Sequence, residues 1–339
     1  MGSSLKGIRR AVGLTSESLI ETGLLPHGDA LPLVIQPATD EVRLDEWLRD
    51  SRAFVAARLL SHGALLFRGF GVRSASAFER CAQSLSPDLF SEYGDLPRAE
   101  GSSAIYQSTP YPPHERILFH NEASHTHRWP MKQWFFCAQA AQQGGETPIV
   151  DCRKVYSLLD HRIIERFRHK RVMYVRNFIN GLDVSWQQFF RTDDASVVEH
   201  LCRKTATACE WRSDGLSIRQ IRPAVAQHPS TGEAIFFNQL QLHHVSCMSP
   251  ALRDASVTLF GPENLPRNVY YGDGSPIEDS VMAEIIGVYR QAAVGFAWQD
   301  GDILLVDNML TAHARNPYVG PRKVLVAMAE MVCADDLTD

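Results

Sequence analysis

Apolar residues occur along the chain in two spacings, one typical of buried strands and one typical of helices. Short continuous apolar runs closed by glycine or by polar residues predict strands. Such runs lie at residues 31–35, 63–70, 234–237, 303–306 and 323–328, and strand-like segments also occur across 110–137. Apolar residues spaced three and four positions apart predict helices at residues 44–60, 75–85, 155–172 and 278–292.

The order of these elements favours one fold class. The predicted strands lie too far apart, and are connected too irregularly, for the repeated strand–helix–strand units of a parallel sheet. A mainly β fold with flanking helices and a jelly-roll core fits better. We expect residues 1–30 to form an N-terminal arm, and residues 31–339 to form a single domain with a helical insertion at about 155–290.

Composition and charge argue against several classes of protein. The 339 residues carry 34 basic and 39 acidic side chains, a net charge of −5, which is unfavourable for a general nucleic-acid binder. No run of about 18 apolar residues is present, so no membrane span is predicted. The seven cysteines include no CxxC pair, and no secretory signal is evident at the N-terminus. We therefore expect a cytoplasmic protein without a disulfide framework.

The densest group of chemically active side chains lies at residues 119–127. If this segment is a strand, His120 and Glu122 point to the same face and can reach one metal ion. His313, which follows the strand at 303–306, is the strongest candidate for a third ligand. Two histidines and one carboxylate on a single face suit non-haem Fe(II). An HxE pattern is also common on surface strands, and the chain has 13 histidines, so spacing alone leaves both interpretations open.

Several blocks together give a more specific indication. These blocks are residues 120–122, 144–149, 307–313 and 320–322. Through them the sequence resembles the Fe(II)/2-oxoglutarate-dependent oxygenases of the taurine dioxygenase (TauD/TfdA) superfamily over roughly residues 60–330, and the blocks occur in the family's order. The resemblance implies a double-stranded β-helix (jelly-roll) fold, with Fe(II), 2-oxoglutarate and O₂ taking part in the reaction.

The same resemblance assigns roles to individual residues. His120, Glu122 and His313 match the iron ligands, which are also the catalytic centre. Arg322 and Thr147 match the residues that bind the distal carboxylate of 2-oxoglutarate. A guanidinium holds a carboxylate in a two-pronged geometry that lysine cannot reproduce.

Within the superfamily the sequence is most similar to amino-acid β-hydroxylases of nonribosomal peptide biosynthesis, of the syringomycin type. The phrases at residues 120–125, 237–241 and 268–274 carry this closer likeness. It implies hydroxylation of an unactivated C–H bond, with release of succinate and CO₂. The substrate would be an amino acid or its derivative, free or bound to a carrier protein.

Two positions bear on which reaction is expected. The taurine enzymes hold the substrate sulfonate with an arginine where this chain has Val326, so a sulfonate substrate is not expected. Halogenating relatives lack the carboxylate ligand, whereas Glu122 is present here. The alternatives are desaturation or another oxidation of a small free acid, and a non-catalytic binding or sensing protein with the same fold.

The remaining candidates concern substrate and partner. His125 near the metal segment, and Gln239 and Gln241 on one face if the strand at 234–237 continues, either contact substrate or are ordinary interior polar groups. The basic run at residues 161–171 is either a solvated helix face or a docking surface for an acidic peptidyl carrier protein.

Overall fold

The protein is described from a computed structural model, covering residues 16–26, 30–91, 97–99, 101–102, 104–108, 111–179 and 184–336. The strands are β1 (Ile20–Gly23), β2 (Leu33–Pro37), β3 (Ala64–Phe67), β4 (Tyr106–Gln107), β5 (Ile117–His120), β6 (Arg128–Gln139), β7 (Gln143–Gly144), β8 (Ile149–Asp151), β9 (Val172–Ile179), β10 (Thr207–Arg212), β11 (Gly215–Arg222), β12 (Val225–Gln227), β13 (Ala234–Phe236), β14 (Arg267–Tyr271), β15 (Ile303–Asp307), β16 (Thr311–Arg315), β17 (Tyr318–Val319) and β18 (Lys323–Cys333). The helices are α1 (Leu44–Asp50), α2 (Arg52–His62), α3 (Ala75–Leu85), α4 (Cys152–Leu158), α5 (His161–Lys170), α6 (Trp186–Phe190), α7 (Ala195–Lys204), α8 (Leu240–His243), α9 (Pro250–Phe260) and α10 (Asp279–Ala292).

A seven-stranded major sheet, in the order β1-β2-β3-β15-β6-β18-β4, forms one side of the core. Strands β15 and β18 pair antiparallel with β6 on either side of it, and their apolar runs are buried almost throughout. Helices α1, α2 and α3 cover one face, where Trp47 and Phe78 pack among the side chains of the sheet. The continuous apolar runs of β15 and β18 fit this placement, because both faces of these strands are covered.

A three-stranded minor sheet, in the order β5-β16-β8, lies against the other face of the major sheet. Ile149 of β8 belongs to the same buried apolar cluster as Phe135, Leu304, Val306 and Val326 of the major sheet. Two mostly antiparallel sheets with an apolar layer between them form the expected jelly-roll core. All five residues of β16 are buried, which fixes this strand at the centre of the minor sheet.

Residues between the jelly-roll strands form a separate four-stranded sheet, in the order β10-β11-β9-β14. Helices α4, α5 and α10 pack beside it through an apolar cluster that includes Phe167, Tyr174 and Tyr289. This sheet lies inside the stretch expected to be a helical insertion, so that stretch contains strands as well as helices.

Several element boundaries differ from the sequence-based predictions. The helix predicted at 44–60 is two helices that meet at Ser51, and the one at 155–172 is two helices separated by Asp160, which caps α5. Part of the expected N-terminal arm forms β1, which pairs with β2, while residues 1–15 and 27–29 lie outside the described residues. None of the helices in the described part is long and apolar enough to cross a membrane.

Candidate functional site

The pairing of β5 with β16 brings two histidines together. His120 is the last residue of β5, and its Cα lies directly opposite that of His313 in the antiparallel ladder. Their rings are 4.3 Å apart between centroids, and Phe135 of the major sheet packs 4.9 Å from the His313 ring. The Nδ1–H of His120 donates to the carbonyl of Leu118 at 2.9 Å, which leaves Nε2 free to bind a metal.

Glu122 reaches the same point by a route that the sequence pattern did not predict. The expected strand ends at His120, and Glu122 lies in the turn that follows, where Ala123 has a positive φ of 55°. The HxE pair therefore does not share a strand face. The turn places Glu122 Oε2 4.0 Å from His120 Nε2, and Gln133 Nε2 donates to that oxygen at 3.3 Å.

The three side chains fit a metal ion. Ligand atoms of His120, Glu122 and His313 all lie within 4.8 Å of one another. Burial, and to a lesser extent His120, hold the pKa of His313 well below its usual value, so its imidazole is neutral, as a metal ligand must be. Its Nδ1 is buried without a hydrogen-bond partner among the described residues. Two imidazoles and one carboxylate form the donor set that non-haem Fe(II) sites use.

Thr147 and Arg322 lie in the same pocket as the three candidate ligands. Arg322 Nε donates to the carbonyl of Gly145 at 2.9 Å, and Nη2 donates to Thr147 Oγ1 at 3.4 Å. Burial lowers the pKa of Arg322 to about 10, so its guanidinium is still charged at neutral pH. Arg322 makes no ion pair with any residue that the structure describes, which leaves a desolvated cation available to an anionic ligand.

Two glycines allow the loop before Thr147 to approach this cation. Gly144 has a φ of +67°, and a Cβ there would lie 2.2 Å from the carbonyl oxygen of Pro317. Gly145 has a φ of +75°, and a Cβ there would press on the Arg322 side chain at 3.0 Å. Glycine is therefore required for both backbone conformation and space.

The pocket has a volume of about 460 Å³ including its open mouth, which is typical of a small-molecule site. Its walls combine the polar groups above with the apolar side chains of Ile117, Phe135, Val324 and Val326. Arg315 also lines it, but its guanidinium already donates to three backbone carbonyls, those of Tyr111, Pro112 and Glu115.

The substrate candidates fall in two different settings. The segment with Gln239 and Gln241 is not a continued strand, because residues 240–243 form the short helix α8. Gln239 Nε2 donates to the carbonyl of Asn121 at 3.0 Å and so supports the turn that carries Glu122. Gln241 is 3% exposed, and its Nε2 has no partner among the described residues.

His125 lies beside a second buried histidine. Its ring is 5.1 Å from that of His243 and 5.9 Å from that of Tyr174, and its Nδ1 has no partner in the described part of the chain. Burial is the main cause that holds the pKa of His125 well below its usual value and lowers that of His243 to about 4. Both rings are therefore neutral at pH 7 and can accept hydrogen bonds.

The basic run forms α5, as the pattern indicated, but its charges are largely paired within the chain. Three of its long cationic side chains each form an ion pair with an acidic side chain. The pairs are Arg166–Glu278, Arg168–Glu165 and Lys170–Asp273. These pairs reduce the positive potential that an acidic partner would meet.

Comparison with known proteins agrees with this geometry. The family model described as "Taurine catabolism dioxygenase TauD, TfdA family" matches residues 29–328. The chain belongs to the TauD/TfdA family. It is therefore an Fe(II)/2-oxoglutarate-dependent oxygenase, and its cofactor and co-substrate are those the sequence resemblance implied.

Two relatives extend over most of the chain. It is 37% identical over 301 residues to the dapdiamide synthesis protein DdaC of Enterobacter agglomerans, covering 88% of this chain and 91% of DdaC. It is 26% identical over 318 residues to a clavaminate synthase-like protein of Arabidopsis thaliana, covering 90% and 92%.

A solved structure supports the fold. PvcB of Pseudomonas aeruginosa, described as an Fe, alpha-ketoglutarate dependent oxygenase from an isonitrile synthetic pathway, superposes with a TM-score of 0.57. The coverage is 96% of this chain and 98% of PvcB, at 15% sequence identity. At this identity the likeness supports the TauD/TfdA fold and nothing finer.

Sequence reasoning missed three residues that contact the site. Gln133 touches Glu122, Trp298 touches Thr147, and Asn308 touches the main chain of Glu122. Gln133 gives only a weak indication in the sequence, because it directly precedes the apolar run at 134–138 of β6 but follows Lys132. The sequence gives no indication of a contact between Trp298 and the site, because an apolar residue that precedes a buried strand is normally part of the hydrophobic core.

Proposed function

We propose that this TauD/TfdA oxygenase hydroxylates an unactivated C–H bond of an amino acid or an amino-acid-derived substrate. The observation that carries the proposal is one pocket that contains two imidazoles, one carboxylate and a half-buried guanidinium without an ionic partner among the described residues. Each of these groups has a place in 2-oxoglutarate-dependent oxidation.

We assign His120, Glu122 and His313 as the iron ligands. Three protein ligands on one face leave the opposite positions open for a bidentate 2-oxo acid and for O₂. When bound, the iron and 2-oxoglutarate activate O₂ and oxidise a substrate C–H bond, while the 2-oxo acid becomes succinate and CO₂. The presence of Glu122 supports hydroxylation rather than halogenation.

We assign Arg322 and Thr147 to the distal carboxylate of 2-oxoglutarate. Gly145 and Thr147 each take one N–H of Arg322, and a guanidinium has five, so donors remain for a carboxylate. The low exposure of Thr147 and the apolar neighbours Val324 and Val326 keep water from competing for that carboxylate.

The substrate class is inferred from the surroundings of the pocket. Val326 supplies no cation for a sulfonate. His125 and Gln241 are not among the residues that line the pocket, but each carries a buried nitrogen without a partner among the described residues, and we infer that these nitrogens bind the polar groups of an amino acid or amide. The relative named for dapdiamide synthesis supports a role in natural-product biosynthesis, and a nonribosomal peptide pathway is the setting we favour.

Delivery of the substrate by a carrier protein is the secondary form of this proposal. The candidate surface is α5, whose cations are paired with acidic groups of the same chain. We therefore favour a free small molecule. Turnover of a carrier-bound substrate that falls when Arg166, Arg168 and Lys170 are all changed to glutamate would favour the carrier instead.

The proposal is tested first by anaerobic titration of metal-free protein with Fe(II) and 2-oxoglutarate. A visible metal-to-ligand charge-transfer band is expected in the wild type, and it should be lost in His313→Ala. Consumption of 2-oxoglutarate in the presence of candidate amino acids then identifies the substrate. A correctly folded wild type without the band would refute the ligand assignment and favour a binding or sensing protein.

A further inference from the structure

The hydroxyl group of Thr147 receives two hydrogen bonds from its own protein. The indole Nε1–H of Trp298 donates to Thr147 Oγ1 at 3.1 Å, and Arg322 Nη2 donates to the same oxygen at 3.4 Å. A hydroxyl has two lone pairs and one hydrogen. With both lone pairs engaged, Thr147 can add a further hydrogen bond only as a donor.

The indole is held firmly in this position. Trp298 is 8% exposed and belongs to the apolar cluster between the two sheets. Its ring packs edge-on against Phe296 at 5.0 Å, and Phe296 lies under the guanidinium of Arg68. Arg68 in turn pairs with Asp302 at 2.6 Å. The Nε1–H is therefore fixed in direction before any ligand arrives.

We propose that Trp298 is a positioning residue that makes the Thr147 hydroxyl an obligatory hydrogen-bond donor, so that the end of the pocket selects a carboxylate. The inference rests on the proposed binding of the 2-oxoglutarate carboxylate at Arg322 and Thr147. No acceptor for the Thr147 hydrogen is found among the described residues, and a carboxylate oxygen supplies one. Arg322 and Thr147 then both act as hydrogen-bond donors. A ligand group that is itself a donor finds no acceptor on these two side chains.

The test is a double-mutant cycle of Trp298→Phe and Thr147→Val. The probes are 2-oxoglutarate and 2-oxobutyrate, which lacks the distal carboxylate, and both dissociation constants come from the anaerobic charge-transfer band with Fe(II). Thr147→Val should weaken 2-oxoglutarate binding about 10- to 100-fold, the usual range for one hydrogen bond to a charged group, and Trp298→Phe should weaken it by a smaller factor of at least about 3-fold, because the hydroxyl remains but is no longer oriented. Binding of 2-oxobutyrate should change less than about 2-fold, because only the bond to the distal carboxylate is lost.

The cycle separates positioning from packing. If Trp298 acts through the hydroxyl, the double variant binds 2-oxoglutarate no more weakly than Thr147→Val alone. Additive effects, or equal weakening for both probes, would overturn the inference and leave Trp298 as a packing residue. Phe296→Leu is the matched control, since it alters the same packing but not the bond, and it should leave the 2-oxoglutarate affinity unchanged.

A second readout leaves Trp298 intact. In protein labelled with ¹⁵N-tryptophan and loaded with Zn(II), the indole N–H resonance of Trp298 should move in Thr147→Val and move again when 2-oxoglutarate is added. An indole chemical shift that is the same in both cases would contradict the inference. If Thr147→Val and Arg322→Lys both leave 2-oxoglutarate affinity unchanged, the carboxylate site itself is wrong, which is a failure of the proposed function and distinct from a failure at Trp298 alone.

Discussion

The side chain of Asn308 makes both main-chain hydrogen bonds to Glu122. Its Oδ1 accepts from the Glu122 N–H at 2.7 Å, and its Nδ2 donates to the Glu122 carbonyl at 2.9 Å. The same Nδ2 donates to the carbonyl of Pro130, and Asn308 is fully buried. One amide therefore substitutes for a strand partner and holds the turn that carries the carboxylate.

Asn308→Ala should weaken metal binding more than it weakens folding. Removing the amide frees the turn at Glu122, and loss of a residue that supports a ligand commonly costs about 10- to 100-fold in metal affinity. Co(II) and Fe(II) affinities measured by titration check this. Asn268→Ala removes another buried asparagine on β14 and serves as the control, with metal affinity within about 2-fold of wild type. Equal losses in the two variants would contradict the role of Asn308.

Arg322→Lys should lower the affinity for 2-oxoglutarate about 10- to 100-fold, because lysine cannot reproduce the two-pronged pairing with a carboxylate while also bonding Gly145 and Thr147. The affinity for Fe(II) alone should stay at the wild-type value. Titration of the charge-transfer band gives the 2-oxoglutarate dissociation constant. An unchanged constant would remove Arg322 from the carboxylate site.

His243 should make the metal-free protein less stable in acid. Its pKa is lowered from 6.5 to about 4, mainly by burial, so the unfolded chain takes up a proton before the folded protein does. Stability is then full above pH 6.5 and falls as the pH drops from 6.5 towards 4. His243 alone should lower the free energy of unfolding by roughly 2 kcal/mol when the pH falls from about 7.5 to about 5, at 1.36 kcal/mol per pKa unit.

The free energy of unfolding, measured in urea at the two pH values, checks this contribution of His243. His243→Asn keeps a donor for the carbonyl of Gln239 but does not titrate, so its loss of stability in acid should be smaller than that of wild type. His161→Asn, at a side chain that is 84% exposed, should leave the acid loss unchanged. If the stability of His243→Asn falls with pH as steeply as that of the wild type, His243 is not the cause of the acid loss.

Gly144→Ala should damage both stability and 2-oxoglutarate binding. The new Cβ meets the Pro317 carbonyl oxygen at 2.2 Å in a backbone with φ of +67°. We expect a loss of about 3 kcal/mol and a weaker 2-oxoglutarate complex, because the strand leads directly to Gly145 and Thr147. Gly232→Ala has the same kind of φ, +70°, but open space around it, and should cost about 1 kcal/mol. Similar losses in the two variants would argue that the clash at Pro317 is relieved.

The sequence predicted the parts of the fold that local pattern determines. The apolar runs at 303–306 and 323–328 became β15 and β18, and the helix at 278–292 became α10. Buried strands flanked by glycine or polar residues can be recognised from the local sequence alone, without knowledge of the strands that pair with them. The blocks around His120, Thr147 and His313 located the pocket for a different reason, their likeness to a known family.

Two features that the sequence did not predict depend on contacts between distant segments. The alternation of residues predicts a strand at Glu122, but Asn308 determines the shape of the turn there from almost two hundred residues away along the chain. The pairing of charges on α5 depends on Asp273 and Glu278, which no local pattern connects to it. Helix α8 was missed for a different reason, because its four residues are too few to show a helical period.

The register of β5 against β16 has a mechanical consequence. His120 and His313 face each other across a single ladder, so an ion held by both is a cross-link between strands that are roughly two hundred residues apart in sequence. Such a cross-link closes a loop that contains β6, β8 and β15 together with the whole inserted four-stranded sheet. An ion held there would act as a structural tie as well as a reactive centre, and we expect the resistance of this fold to unfolding to rise with the concentration of free metal.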